Sequence, residues 1–475
     1  MTKLRLRLRL PDRAGRRRAW ATALAALFPL LSLITDFGIG LCGFLFLATA
    51  LWWRREAWPA FRVAWRRIRW VGVAFLLDLA WMAGLMLVRS HDPNVLDRPL
   101  RMCLMMTAIP VVLVARPPPR ALWLGAAGGA LASLALVALQ GLWLGVARPG
   151  GWMNPITFGD LALCLALLSL AGVIDAVDAK RAWVRWSGAL GVLTGIAASL
   201  LTGSRGGWLM LALLVLLPLL LPLLLCLPGR AMQLASRLTP RLVPHSARGL
   251  IPQLEPQPQR ASWGPALALP LLAIALAASA YALPQTGVRD RIAIGVSDVR
   301  LYLAGNRAPT SLSVRLELWR GGLLLVREHP WVGLDTPAYK RRMRAWVAEG
   351  KLSPAVFAPP EPPHLHNDLL QVLVTRGALG LVAWIGILLA PLAFFWTQLQ
   401  QATRGAAGPP LPPTRAQAPA MAGLLLVLAY ASFGLTEVIF WSMKANVFYA
   451  LMVFLLIGWV LDAGRAQGSY DESIE

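Results

Sequence analysis

Long apolar runs are the feature of this sequence that most constrains its fold. They begin near residues 19, 37, 70, 100, 121, 156, 187, 207, 263, 378, 420 and 445. Each is close to the ~20 residues that a helix needs to cross a hydrocarbon core. Because lipid offers the backbone no hydrogen bonds, a spanning segment of this kind is a helix. Since 57% of the residues are hydrophobic, the sequence predicts an all-α integral membrane protein with about twelve transmembrane helices.

The formal net charge of +23 must be interpreted against the membrane, because basic residues accumulate on the cytoplasmic side. If both termini are inside, Lys and Arg are concentrated in the inner connections, above all 1–18, 54–69 and 228–262, and are scarce in the short outer connections. This pattern predicts cytoplasmic N and C termini and no nucleic-acid partner. A basic N-terminus before an apolar run is also typical of a cleaved signal peptide. No small-residue cleavage site ends the first run, so we expect an uncleaved anchor.

One predicted outer connection is much longer than the others. The chain divides into spans 1–9 in residues 1–283, a loop in residues 284–377, and spans 10–12 in residues 378–475. Long translocated loops escape the positive-inside rule, so the basic residues of this loop do not contradict the orientation. Three of the five histidines lie in it. We expect a large, mostly helical loop outside the membrane that carries the chemistry.

The segment HLHNDLLQVLVTRGALG, residues 364–380, predicts a helix start directly after the prolines of 359–363. Prolines disfavour helix before His364, and Asn367 or a neighbour can cap the new helix. His366 therefore lies at a helix N-terminus, where the helix dipole and nearby arginines disfavour the imidazolium and leave the ring able to accept a proton. Alternatively, both histidines are only polar residues of an interfacial loop.

A metal site on the same HxH pair is a third interpretation. No cysteine lies in the loop, and no carboxylate pattern beside His364 and His366 completes a set of ligands. The four cysteines of the chain all fall in apolar runs, where they behave as small hydrophobes. We therefore expect no metal and no cofactor.

Arg205 is a second candidate, in the short outer turn LTGSRGGW between two apolar runs. An arginine at membrane depth is costly, and a turn flanked by Gly and Ser can point backbone N–H groups and a guanidinium at an anion. The alternative is a side chain that only reaches lipid headgroups.

An amphipathic helix is predicted for the stretch SVRLELWRGGLLLVRE, which ends before His-Pro. Arg315, Trp319 and Gly322 share one face at i, i+4 and i+7, whereas Arg320 and Arg327 share another. A face with Arg beside Trp suits a phosphate at a membrane interface, although a helix resting on lipid shows the same pattern.

A basic run, YKRRMRAW, follows in the same loop. Its cations are Lys340, Arg341, Arg342 and Arg344. They are candidates for contact with the phosphates of an acceptor lipid, although such a run is more often a solvated or headgroup-facing edge.

Weaker candidates lie outside the loop. They are NPITFGD at 154–160 and the last outer turn with Glu437 and Lys444. We expect both to line one cavity together with the candidate residues of the loop. Asp78 and Arg101 are ionisable groups within predicted spans, and an ion pair between them is a sufficient structural reason for both.

Together these stretches resemble the O-antigen ligase and polymerase family. TGSRG follows a span, RxxxW is followed by HPWVGLD, and HLHN is followed by RGALG, in that order. Each motif alone is weak, but their order and placement make the combination specific. One departure is Asp335, which stands where the family usually has a glycine, two residues after Gly333.

The resemblance implies a multi-pass enzyme of the bacterial inner membrane whose active site faces the periplasm. It implies transfer of O-antigen polysaccharide from an undecaprenyl-diphosphate-linked donor to a sugar hydroxyl of lipid A-core, with inversion and without a metal. It makes His366 the catalytic base and Arg205 and Arg315 the diphosphate ligands. The supporting residues are His364, Asn367, Trp319 and Arg320.

Other functions share parts of this pattern. An O-antigen polymerase or a protein O-oligosaccharyltransferase of the same family would also carry the HxHN loop; the single large outer loop favours a ligase. A polytopic lipid or glycan transporter is the alternative from a different class. A transporter is expected to have broken helices near the midplane in two related halves, whereas here the charges concentrate at one face.

Overall fold

The computed structural model describes residues 12–89, 93–176, 182–203, 206–207, 278–279, 281–282, 288–305, 309–357, 364–404 and 417–471. Within these ranges all regular secondary structure is helical, and none of it is strand. The all-α prediction is therefore confirmed for this part of the chain.

The described residues contain fourteen α-helices with defined bounds. In chain order they are α1 (Arg13–Leu31), α2 (Gly38–Trp52), α3 (Arg54–Arg89), α4 (Asp97–Leu104), α5 (Ala108–Ala115), α6 (Arg120–Ala138), α7 (Pro155–Asp175), α8 (Ala182–Thr202), α9 (Val288–Leu303), α10 (Ser311–Glu328), α11 (Thr336–Ala348), α12 (Asp368–Arg404), α13 (Gln417–Phe433) and α14 (Met443–Asp471). A 3-10 helix, Ile439–Trp441, lies between α13 and α14.

Seven helical stretches among the described residues are long and apolar enough to cross a membrane. They are Arg54–Arg89, Pro93–Ala115, Arg120–Trp143, Pro155–Asp175, Ala182–Thr202, Asp368–Gln401 and Met443–Arg465. Helices α2 and α13 are apolar but shorter. The chain is therefore a multi-pass membrane protein. The predicted run that begins near residue 207 lies beyond the described Gly207, and the run that begins near residue 263 lies mostly outside the described residues, so the count of twelve spans stays a prediction.

The membrane bundle packs around α14, whose residues 445–461 are all buried. The predicted ion pair between Asp78 and Arg101 is wrong, because each of the two residues has a different partner. Because α3 packs along α12, the carboxylate of Asp78 accepts a hydrogen bond from Arg376 at 2.6 Å. Arg101 instead bonds Asp97 one helical turn away, also at 2.6 Å.

The described part of the 284–377 loop is helical, as predicted, and forms a second, smaller core. Helices α10 and α11 pack there against the segment before α12 and the first turns of α12. The buried side chains include Leu325, Tyr339, Met343, Trp346 and Leu365. This small core fixes the HLHN segment relative to α10.

Helix α12 is interrupted at Gly377, where φ of +68° and ψ of −176° leave the helical region. The turn after α10 lies against this break, and the N–H of Ala378 donates to the carbonyl of Pro330 at 2.8 Å. A Cβ at Gly377 would lie 2.1 Å from the carbonyl oxygen of Trp331. The close approach of the two backbones therefore requires glycine.

Arg89, at the end of α3, hydrogen-bonds to both the turn after α10 and the segment before Gly377. Its Nη1 donates to the carbonyl of Thr375 at 3.0 Å, and its Nη2 donates to the carbonyls of Val332 and Gly333 at 2.7 and 2.9 Å. The HPWVGLD and RGALG motifs thus form a joint that holds the loop on the bundle. Asp335, the departure from the family pattern, caps α11 by accepting the N–H of Ala338 at 2.6 Å.

Candidate functional site

The HLHN segment is held at both ends by hydrogen bonds. Asn367 caps α12, as predicted, because its side-chain oxygen accepts the N–H of Leu370 at 2.9 Å. Its amide donates to the carbonyl of Leu435 at 3.0 Å, and Gln371 Oε1 accepts the N–H of Leu365 at 2.9 Å. These bonds hold the segment between α12 and the connection from α13 to α14.

The backbone of His366 is strained. Its φ is +53°, in the left-handed region that costs a non-glycine residue about 1 to 2 kcal/mol. Strain of this kind persists only where the surroundings impose it, and it is concentrated at functional sites. Arg116, at the end of α5, is the other described non-glycine residue with a positive φ. Within the HLHN segment, the strained residue is the histidine that the sequence predicts as the base.

Glu437, from the connection between α13 and α14, joins the two histidines. Its Oε2 lies 3.0 Å from Nδ1 of His366, and its Oε1 lies 3.1 Å from Nε2 of His364. Only 3% of Glu437 is exposed. These three residues, His364, His366 and Glu437, are called the His–Glu cluster below.

The hydrogen-bond network assigns the ring protons of the cluster. His364 Nδ1 accepts the backbone N–H of His366 at 3.4 Å, so its Nε2 carries the proton and donates to Glu437. The Nδ1–H of His366 donates to the other carboxylate oxygen. Nε2 of His366 then keeps its lone pair, and no described residue hydrogen-bonds to it. A general base requires this tautomer.

The charges of the cluster follow from its burial and contacts. Burial lowers the pKa of His364 to about 4, against the opposing effect of Glu437, so this ring is neutral at neutral pH. Burial would raise the pKa of Glu437, but the hydrogen bond from His366, followed by the electrostatic effects of His366, His364 and Arg315, outweighs it and lowers the pKa. Glu437 is therefore a carboxylate that orients two rings.

Arg315 and Trp319 of α10 approach the cluster from the loop side. Nη1 of Arg315 donates to the carbonyl of Thr436 at 2.9 Å, and its Nη2 lies 3.8 Å from Glu437 Oε2. Trp319 Nε1 donates to the carbonyl of Leu365 at 2.9 Å. The prediction that Arg315 and Trp319 share a face is confirmed, and that face meets the HLHN segment.

The two predicted faces of α10 have different surroundings. Gly322 completes the face toward the HLHN segment, since a Cβ there would lie 2.8 Å from the side chain of Leu370. Arg320 is exposed, and its Nη1 lies 3.7 Å from Glu317 Oε1. The structure thus places Arg320 on a different side of α10 from Arg315.

The predicted basic run forms α11, and its cations do not share one environment. They are Lys340, Arg341, Arg342 and Arg344. Arg342 donates two hydrogen bonds to Glu328 at 2.6 and 2.9 Å, and the guanidinium of Arg344 lies 4.9 Å from the ring centre of Phe357. Arg342 and Arg344 therefore have partners within the loop, and contact of the basic run with an acceptor lipid stays a prediction.

Arg205 lies outside the described residues. Gly207, two residues on, is described, and a Cβ there would lie 3.5 Å from Asp160 Oδ1. Asp160 of the NPITFGD segment thus lies beside Gly207. Lys444 donates to the carbonyl of Trp152 at 2.9 Å, just before that segment, so the weaker candidates lie on the same end of the bundle.

Arg98 and Trp441 are neighbours of the site that sequence reasoning missed. The guanidinium of Arg98 lies 4.6 Å from the ring centre of Trp441, whose ring lies 5.9 Å from that of His364. Glu437 was predicted only as a weak candidate. Its signal is an ionisable residue in a short connection between apolar runs, which is the same signal that identifies Arg205.

The expectation that no carboxylate completes a metal site at the HxH pair is wrong, because Glu437 arrives from a distant connection. The ligand atoms of His364, His366 and Glu437 all lie within 4.8 Å of one another. Two histidines and a glutamate are a known ligand set for catalytic zinc. In this structure each carboxylate oxygen instead faces a ring nitrogen, so the same three residues suit either a hydrogen-bonded base or a metal site.

Comparison with known proteins supports the resemblance. Residues 190–385 match the family model described as O-antigen ligase. An uncharacterized protein of Haemophilus influenzae is 24% identical over 63% of this chain and 66% of its own length. An O-antigen ligase of Pseudomonas aeruginosa is 34% identical over 18% of each chain. The chain thus aligns with two thirds of the first relative and under a fifth of the second. The matched family region includes Arg205, Arg315 and His366.

Proposed function

We propose that this multi-pass membrane protein, which matches the O-antigen ligase family over residues 190–385, is itself an O-antigen ligase. It transfers O-antigen polysaccharide from undecaprenyl diphosphate to a sugar hydroxyl of lipid A-core. The reaction takes place at the periplasmic face of the bacterial inner membrane. The observation that carries the proposal is the 3.0 Å contact between His366 and Glu437, because it supplies an oriented base beside an arginine.

His366 acts as the general base. The acceptor hydroxyl gives its proton to Nε2 of His366 while its oxygen forms a bond to the anomeric carbon of the donor. Glu437 keeps Nδ1 protonated and stabilises the positive charge that the ring acquires. The role of Glu437 is thus to position the base.

The diphosphate is the leaving group. As the new bond forms, the bond between the anomeric carbon and the diphosphate oxygen breaks, and its electron pair leaves with undecaprenyl diphosphate. Attack opposite to the leaving group inverts the anomeric centre, and no carboxylate nucleophile is needed. Arg315 and Arg205 neutralise the phosphate oxygens. Arg315 would exchange its bond to the Thr436 carbonyl for one to phosphate.

An acceptor assay tests the function. Purified protein is incubated with carrier-linked glycan and one of three acceptors, which are lipid A-core, an undecaprenyl diphosphate-linked acceptor and an acceptor protein. The product is analysed by gel electrophoresis and mass spectrometry. A ligase extends lipid A-core alone. Extension of the carrier-linked glycan would identify a polymerase, and extension of an added acceptor protein a protein O-oligosaccharyltransferase. Movement of donor across a vesicle membrane without transfer would identify a transporter.

The same assay with excess chelator tests the metal. If arginines neutralise the leaving group, activity continues without divalent ions. Activity that is lost in chelator and restored by zinc would instead assign the His–Glu cluster as a metal site.

A further inference from the structure

A basic cavity lies at the start of α1 and the junction of α2 with α3, and the reaction proposed above does not use it. Its volume is about 550 Å³, within the range of small-molecule sites. Five arginines and one glutamate line it: Arg13, Arg16, Arg17, Arg54, Arg55 and Glu56. Trp20, Trp52 and Trp53 complete the wall.

The cavity and the His–Glu cluster lie at opposite ends of the bundle. Helix α1 has 19 residues, which gives it a length of about 28 Å. The cavity is at its first turn, whereas the turn after its last residue carries Asp36, which pairs with Lys444 at the start of α14, directly after the connection that carries Glu437. Helix α3, which is long and apolar enough to cross a membrane, begins at the cavity with Arg54 and ends with Arg89 at the joint between the loop and the bundle, so the cavity faces the other surface of the membrane.

The cavity has a large excess of positive charge. Arg17 is held in place by Glu56 at 2.7 Å and by the ring of Trp53, whose centre is 5.4 Å from the guanidinium. The other four arginines are exposed, and the positive end of α1 adds to their field. The positive-inside rule requires basic residues on this side of the membrane, but it does not require their convergence on one cavity.

Tryptophans place the cavity at the depth of lipid headgroups. Trp52 is 78% exposed and Trp20 is 41% exposed, and the indole of Trp20 donates to Thr49 Oγ1 at 3.0 Å. Exposed tryptophans with one polar end are typical of the membrane–water interface. A ligand at this depth meets guanidinium groups on the aqueous side and indole rings on the lipid side.

We propose that this cavity binds the phosphate group of an anionic phospholipid, with its acyl chains along α1 and α3. Arginine forks bind phosphate oxygens through paired hydrogen bonds, and basic pockets between transmembrane helices suit headgroups with more than one phosphate. The proposal does not depend on the reaction at the His–Glu cluster.

Matched pairs of substitutions test this site. Arg13→Gln with Arg16→Gln removes two charges from the cavity, and Arg66→Gln with Arg69→Gln removes two exposed charges of α3 outside it. Purified proteins are placed in phosphatidylcholine nanodiscs with or without cardiolipin, and retained lipid is measured by native mass spectrometry together with the unfolding temperature. At about 1 kcal/mol per arginine, the cavity pair should weaken cardiolipin binding about thirtyfold, and the control pair should not.

A second cavity pair, Arg54→Gln with Arg55→Gln, should give the same loss from the side of α3. Equal retention in the cavity and control variants would overturn the proposal, as would equal retention of cardiolipin and phosphatidylcholine. Inorganic phosphate is tested alone, without cardiolipin. Stabilisation by phosphate but not by cardiolipin would overturn the assignment to a lipid.

Discussion

At the scale of single residues, Glu437 decides how the two histidines of HLHN can act. It lies 71 residues from His366 in the chain, and it engages one nitrogen of each ring. The two rings are not equivalent, because His364 also accepts the backbone N–H of His366 and uses both nitrogens within the cluster. We therefore expect His366 to exchange protons with substrate and His364 to support it.

His366→Ala should abolish glycan transfer while the protein still folds and inserts. General bases typically contribute a factor of about a thousand to the rate. The measurement is transfer to lipid A-core by purified protein and in cells that lack their own ligase. His329→Ala, at an exposed position of the same loop, is the control and should keep full activity. Normal transfer by His366→Ala would exclude the base.

Glu437→Gln keeps the size of the side chain but removes its charge. The imidazolium that forms during reaction then loses its counter-charge, so we expect kcat to fall about a hundredfold with little change in the KM for the donor. Steady-state kinetics of the purified variant give both constants. A purely structural role would instead lower the amount of folded protein and leave the kcat of the folded fraction unchanged.

His364 makes the stability of the protein depend on pH. Its folded pKa of about 4 lies below the ordinary value of about 6.5. Between these values the unfolded chain binds a proton that the folded protein does not, so stability is full above about pH 6.5 and falls as the pH drops toward 4. The unfolding temperature in detergent should therefore fall between about pH 7 and 5, and fall less in His364→Gln. Equal slopes would show that His364 does not cause the effect.

At the scale of secondary-structure elements, the joint between loop and bundle explains two of the sequence motifs. HPWVGLD forms the turn after α10, and RGALG forms the break in α12 on which this turn lies. The two backbones exchange hydrogen bonds because Gly377 leaves the helix and exposes them. Arg89 of α3 then links the joint to a third element. The joint holds α10, and so Arg315, beside the HLHN segment.

Gly377→Ala tests this joint. The new Cβ would meet the Trp331 backbone and require a positive φ, so the folded protein should lose about 2 kcal/mol or more. Thermal unfolding and transfer activity should both decrease. Gly84→Ala in α3 is the control, because a Cβ at Gly84 meets no atom within 4 Å and alanine favours a helix. Equal stability of the two variants would contradict the role of the joint.

At the scale of the whole molecule, the described spans separate two chemically different ends. The His–Glu cluster, Arg315 and the joint lie at one end, and the arginine-lined cavity lies at the other. On the basis of the positive-inside rule we propose that the cavity faces the cytoplasm and the cluster the periplasm. A lipid-linked donor and a lipid acceptor would then both reach the cluster from the outer leaflet.

Cysteine labelling in intact cells tests this orientation. Ala348→Cys lies at the exposed end of α11, and Ala14→Cys lies at the exposed start of α1. A membrane-impermeant maleimide should label Cys at 348 in cells with a permeabilised outer membrane, and Cys at 14 only after the inner membrane is disrupted. The parent protein gives the background from its native cysteines. The reverse pattern would place the active site in the cytoplasm.

Local patterns allowed much of this structure to be predicted. The length of the apolar runs predicts the spans, a period of 3.6 predicts α10 and its face with Arg315 and Trp319, and the prolines before Asn367 predict the start of α12. Each of these features depends on residues that are close in the chain. Physical rules for helix length, helix periodicity and helix capping therefore suffice.

The contacts that complete the site could not be predicted in this way. Asp78 pairs with Arg376 rather than Arg101, and Glu437 rather than a residue of the loop binds His366. Many ionisable residues stand in short connections between spans, and only the packing of the helices decides which of them meet. The sequence by itself determined a helical membrane protein with an HLHN segment at a helix start. The tertiary structure decided that a buried carboxylate from a distant connection orients the two histidines, because that contact depends on how α12, α13 and α14 pack together.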